Sequence, residues 1–93
     1  KRYIEEERNY LLHELSKIKG LIAYNTSTNY ILIKLLGWEQ EHIFKYFLKR
    51  GILIRKCSSF EGLKGDHIRI AIKDRKNNMK LLEIFRELEQ RLV

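Results

Sequence analysis

The chain has 93 residues, room for one small domain around one modest core, and its 44% hydrophobic and 33% charged content reads as a folded rather than a disordered chain. Its formal charge is +7, from 19 Lys+Arg against 12 Asp+Glu, spread over both halves, which permits nucleic acid, an anionic membrane or a small anionic ligand without selecting among them. No apolar run reads as a membrane span or a leader, and the lone Cys57 excludes an internal disulfide and fits a reducing, cytoplasmic setting.

The first predicted element is a helix over Lys1–Lys19. Ile4, Leu11, Leu15 and Ile18 repeat on one helical face, and Gly20 supplies the stop. Glu5, Glu6 and Glu7 read as a solvated, dipole-favouring first turn. Leu21–Tyr24 and Asn29–Leu35 are expected strands, and the polar turn Asn25–Thr28 between them predicts an antiparallel pair. Gly37-Trp38 breaks the pattern. A second helix follows over Glu39–Arg50, with Ile43, Phe44, Phe47 and Leu48 as its apolar stripe and Gly51 as its stop. Ile52–Arg55 is expected as a third strand, Lys56–Gly65 as a loop and His67–Lys73 as a fourth strand. Asp74 is placed to N-cap a last helix over Arg75–Leu92, which would bury Leu81, Leu82, Phe85, Leu88 and Leu92.

The order α-β-β-α-β-β-α predicts an α+β domain over residues 1–93, a small, mainly antiparallel four-stranded sheet with helices on one face. No proline or low-complexity linker marks a boundary inside it. The chain opens on Lys1 and its single methionine is Met79, so it reads as a piece cut from, or processed out of, something longer.

Several chemistries find no support in the residues. His13, His42 and His67 fall on separate elements without ligand spacing, so no metal site is expected. Cys57 has no histidine partner in sequence, and Gly62-Leu-Lys-Gly65 is too short for a phosphate loop and precedes a strand. A basic α+β module for nucleic acid is the alternative of another class. The expected central strand His67–Lys73 carries no aromatic residue for base stacking, however, and the charge is not gathered into a stripe.

The stretch Gly51–Asp74 is the most informative. Alternation puts Ile68, Ile70 and Ile72 on one side of a strand and Arg69 and Ala71 on the other. It likewise separates Ile52 and Ile54 from Leu53 and Arg55. Two arginines off the apolar face, on strands joined by one loop, resemble an anion clamp, because the guanidinium fork matches carboxylate and phosphate.

Arg-Gly-Ile-Leu-Ile-Arg55, Cys57-Ser-Ser-Phe-Glu-Gly-Leu63, Ile68-Arg-Ile-Ala71 and Leu81-Leu82, with Thr28-Asn-Tyr-Ile-Leu32 upstream, resemble the C-terminal small domain of fold-type I pyridoxal-phosphate enzymes of the class I/II aminotransferase group. The resemblance covers essentially the whole chain. Its Cys-Ser-Ser-Phe loop is most similar to the threonine-phosphate decarboxylase branch of cobalamin biosynthesis, with histidinol-phosphate aminotransferases as the alternative. It implies that Arg69 pairs with the substrate α-carboxylate and Arg55 with its anionic end, a phosphate. Asn29 is a further candidate, for substrate or for tying the strand end. The resemblance also implies a small phosphorylated amino-acid substrate and a homodimeric, cytoplasmic parent, with no nucleic-acid or membrane partner. Pyridoxal 5'-phosphate and the catalytic lysine would belong to a large domain outside these residues, so the chain alone is expected to be inactive.

Overall fold

The computed structural model describes residues 2–25, 29–57 and 65–91. Seven elements follow in chain order: α1 (Arg2–Leu15), β1 (Leu21–Tyr24), β2 (Tyr30–Leu35), α2 (Gln40–Lys49), β3 (Arg55–Lys56), β4 (His67–Ala71) and α3 (Arg75–Gln90). The strands form one four-stranded sheet in the order β1-β2-β4-β3, antiparallel at every step. This is the α+β arrangement expected.

Register divides the sheet into two faces. Leu21 pairs with Leu35, Ile31 with Ile70 and Ile33 with Ile68, and all six side chains are buried. They share one core with Leu11 and Leu15 of α1, Ile43 and Phe47 of α2, and Leu81, Leu82, Phe85 and Leu88 of α3. Phe47 and Phe85 meet at its centre, ring centroids 4.9 Å apart. The opposite face, carrying Ile22, Tyr24, Tyr30, Leu32, Arg69 and Ala71, is exposed or only half-buried. The helices therefore pack on one side and leave the other side open.

Helix ends are set by local chemistry. α1 stops at Leu15, four residues before the expected end. The Ser16 hydroxyl donates to the His13 carbonyl (2.6 Å), and Lys17 and Ile18 form tight i→i−3 bonds to Glu14 and Leu15. Ile18 still buries, so the apolar stripe outlasts the helix. α2 ends in a Schellman arrangement: Gly51 N donates to Leu48 O and Ile52 N to Phe47 O, each at 3.0 Å, with Gly51 at φ +81°. Asp74 caps α3 by accepting from Asn77 N at 3.0 Å.

Three expectations need correction. The third strand was expected over Ile52–Arg55, but only Arg55 and Lys56 join the ladder, because Ile52 N is committed to the end of α2. The alternation nevertheless holds, with Ile54 buried and Leu53 exposed. Leu48, placed on the α2 stripe, is half exposed, since Ile43 and Phe47 alone face the core centre. Glu7 is not solvated: it is 5% exposed and held by residues at the start of α3. The expected turn at 26–28, the loop at 58–64 and Leu92 lie outside the described residues.

Candidate functional site

The open face holds the candidate site. β4 lies between β2 and β3, so residues from both neighbours reach the same patch of its surface. Arg55 and Arg69 are direct register partners on β3 and β4. Partners in an antiparallel pair share a face, about 5.5 Å apart at Cα when they exchange hydrogen bonds. The bond from Cys57 N to His67 O (3.0 Å), two residues along the ladder, places Arg55 and Arg69 at a hydrogen-bonded position of this kind. On the β2 side, Asn29 precedes the strand. Its carbonyl accepts from Ile72 N at 3.0 Å, which fastens the β2 entry to the β4 exit.

These elements enclose a shallow hollow of ≈ 270 Å³, lined by Asn29, Tyr30, Arg55, Arg69, Ile70 and Ala71. The three residues singled out from sequence, Asn29, Arg55 and Arg69, thus come together. Tyr30, unmarked in the sequence, joins them: the Arg69 guanidinium lies over its ring, 4.3 Å from the centroid.

The electrostatics of the hollow are one-sided. Like charges facing each other across strands repel. Five ion pairs occur among the described residues, and neither Arg55 nor Arg69 takes part in any of them. Lys56, next in sequence, instead pairs with Glu41 of α2 and sits 4.8 Å from the centre of the Phe44 ring. The neighbouring cation is neutralised, while the two in the hollow have no ion-pair partner among the described residues. Cys57 is buried beside them. Burial pushes its thiol above the ordinary value, against the opposing pull of Arg69 and Arg55.

The start of β4 is braced from the helix layer. Asp66 accepts from Gln40 N (2.8 Å), capping α2 from a distance, while Gln40 Oε1 accepts from His67 N (3.3 Å). The His67 ring lies 3.1 Å from the Gly65 carbonyl through Nδ1. These contacts hold the strand that carries Arg69.

Two other hollows are less suited to a ligand. A cleft between Ile52–Ile54 and the start of α3 measures ≈ 60 Å³, space for a few waters, and Asn78 beside it spends its amide on Glu7 and on the Lys73 backbone. A groove on α2 lined by His42, Lys45, Tyr46 and Lys49 is partly compensated by Glu87, which pairs with Arg50 and accepts from the Tyr46 hydroxyl. Among the described residues no group of three or more His, Cys, Asp or Glu could hold a metal ion, and no helix is long and apolar enough to cross a membrane.

Fold and hollow together define a small α+β unit with a paired-arginine face. No family model matches the chain. A protein of Caldanaerobacter subterraneus subsp. tengcongensis, provisionally named a threonine-phosphate decarboxylase, is 38% identical over 88 residues, covering 95% of this chain and 24% of that protein. A histidinol-phosphate aminotransferase of Thermoanaerobacter sp. (strain X514) is 40% identical over 86 residues, covering 92% of this chain and 24% of that protein. The crystal structure of the histidinol-phosphate aminotransferase from Clostridium acetobutylicum superposes with a TM-score of 0.87 at 33% identity, over 96% of this chain and 27% of that one. The chain thus spans about a quarter of the length of the curated relatives it matches. Its homologues are threonine-phosphate decarboxylases and histidinol-phosphate aminotransferases, from families that use pyridoxal phosphate.

The hollow does not supply the groups that hold the reactive end of that cofactor. The hollow offers guanidinium, amide and phenol groups, with no lysine amine for the cofactor's aldehyde and no carboxylate to face a ring nitrogen. Its donor set suits an anionic group.

Proposed function

We propose that this chain is the substrate-anion-binding small domain of a pyridoxal-phosphate enzyme, a threonine-phosphate decarboxylase of the cobalamin pathway. The observation that carries the reading is the Arg55–Arg69 register pair, which lacks any ion-pair partner among the described residues. Two adjacent cations suit a ligand with two anions a few bonds apart. L-threonine O-3-phosphate is such a ligand, with carboxylate and phosphate on neighbouring carbons. In this reading Arg69 takes the carboxylate, Arg55 takes the phosphate, and Asn29 borders the hollow. Holding both ends fixes how the substrate presents its scissile bond. The cofactor and catalytic groups lie outside this chain, in a homodimeric cytoplasmic enzyme, and neither nucleic acid nor membrane is a partner.

A second reading is a histidinol-phosphate aminotransferase, favoured by the 40% and 33% identities to enzymes of that name. The deciding experiment uses the full-length enzyme loaded with pyridoxal phosphate. L-threonine O-3-phosphate should release carbon dioxide, and Arg55→Ala and Arg69→Ala should each lower kcat/KM by about tenfold to a hundredfold, the worth of a lost charge-assisted bond. Glutamate formation from 2-oxoglutarate, with histidinol phosphate as the amino donor, would select the second reading. Unchanged kinetics in both variants would remove the arginines from the site. Steeply salt-dependent RNA or DNA binding would replace both readings with a nucleic-acid module.

A further inference from the structure

Two guanidinium groups on facing positions, without an ion-pair partner among the described residues, need something to hold them apart and aimed. Arg55 reaches the hollow from β3, on one side of β4, and Tyr30 from β2, on the other. The Arg69 guanidinium lies over the Tyr30 ring at 4.3 Å, so it leans away from β3 and toward β2. The register allows this. Tyr30 stands opposite Ala71, which makes Arg69 its diagonal neighbour, within reach of an aromatic ring. The small Ala71 side chain leaves the space above β4 open to that ring. Leu32, directly opposite Arg69, offers apolar surface but no charge. The bond from Ile72 N to Asn29 O fixes the backbone next to Tyr30.

We propose that Tyr30 is a positioning residue of the anion site. Its ring face holds the Arg69 guanidinium on the β2 side and so sets the spacing between the two cations. That spacing selects ligands whose two anionic groups are a few atoms apart over ligands with one. The proposal rests on the reading of Arg55 and Arg69 as substrate-binding cations. Tyr30 acts through Arg69, by its π face rather than by its hydroxyl.

The test uses the full-length protein without cofactor and calorimetry with two probes. One is 3-phosphonopropionate, which carries a carboxylate and a phosphonate but no amine to react. The other is inorganic phosphate. Tyr30→Leu, which keeps apolar bulk but has no π face, should weaken 3-phosphonopropionate about three- to tenfold, with phosphate held within about twofold. Tyr30→Phe should bind both probes like the wild type. Tyr30→Ala should behave like Tyr30→Leu, and a melting curve on each variant confirms folding. Wild-type affinity in Tyr30→Leu, alongside a loss in Arg69→Ala, overturns the role of Tyr30 and leaves the arginine reading standing. Equal losses in Tyr30→Phe and Tyr30→Leu overturn it too, by assigning the effect to the hydroxyl. No loss in Arg55→Ala or Arg69→Ala removes the arginine reading, and this proposal with it.

Discussion

Glu7 stands one helical turn before Leu11 on α1, with its carboxylate turned inward. Arg75 Nε donates to both of its oxygens (3.1 and 3.2 Å), Asn78 Nδ2 donates to Oε1 (2.9 Å), and the Arg75 guanidinium covers the Tyr10 ring at 3.8 Å. This clasp joins the first helix to the last. The Arg75 bond, reinforced by Asn78, outweighs burial and holds the Glu7 carboxyl below its ordinary value of 4.5. A carboxyl depressed in the folded state stabilises the fold fully above its unfolded value, and that contribution fades as pH falls through the folded one. Glu7→Gln should therefore melt lower than wild type at pH 7. The gap should close in thermal melts taken from about pH 4.5 downward, where the wild-type side chain also becomes neutral. A gap independent of pH would mean that shape, not charge, makes the contact. The signal for Glu7 was present in the sequence: it lies three residues after Ile4 and four before Leu11, on the apolar stripe itself. The run of three glutamates hid it, because first-turn acids are ordinarily solvated. Tyr30 carried no such signal, since its partner is chosen by strand register, which is a property of the assembled sheet.

At the scale of elements, the joint between α2 and β3 decides where Arg55 lands. Gly51 takes φ +81° in the Schellman turn, and a Cβ there would meet no atom within 4 Å. Any cost of Gly51→Ala is then backbone strain rather than collision, about 1–2 kcal/mol. Urea unfolding should show that loss, with Gly51→Asn losing less because asparagine tolerates this conformation better. Equal stability in Gly51→Ala would show that the turn relaxes. Helices and strands were legible wherever a single face buries, as in α2, α3 and the Ile68–Ile70 segment. Boundaries were less so. The sequence pattern of β3 runs from Ile52, but alternation reports only which way side chains face. It does not report which backbone groups find a ladder partner, and Ile52 N finds its partner in the preceding helix.

For the molecule as a whole, all three helices and both central strands contribute to one hydrophobic cluster. Elements that share a core lose it together. The 93-residue chain should unfold in a single urea transition, with fluorescence of the lone Trp38 and far-ultraviolet dichroism giving coincident curves. Separate midpoints would show that the sheet and helix layers come apart independently. The layer order was readable from the alternation of element types. The contents of the hollow were readable only in part: the pattern showed that both arginines leave the apolar face, but the crossing that sets β4 between β2 and β3 is what brings Asn29, Tyr30, Arg55 and Arg69 together.

That strand order gives the two arginines unequal futures under mutation. Arg69 sits on an inner strand, tied on both flanks, and its neighbours Ile68 and Ile70 are core residues. Arg55 sits on an outer strand of two exposed residues, flanked by the buried Ile54 and Cys57. Substitutions at Arg55 or Lys56 leave the buried side chains in place, while those on the inner strand fall between core residues. If both arginines bind substrate as proposed, lineages descended from such a fold would diverge in the part of the ligand assigned to Arg55 and keep the part assigned to Arg69.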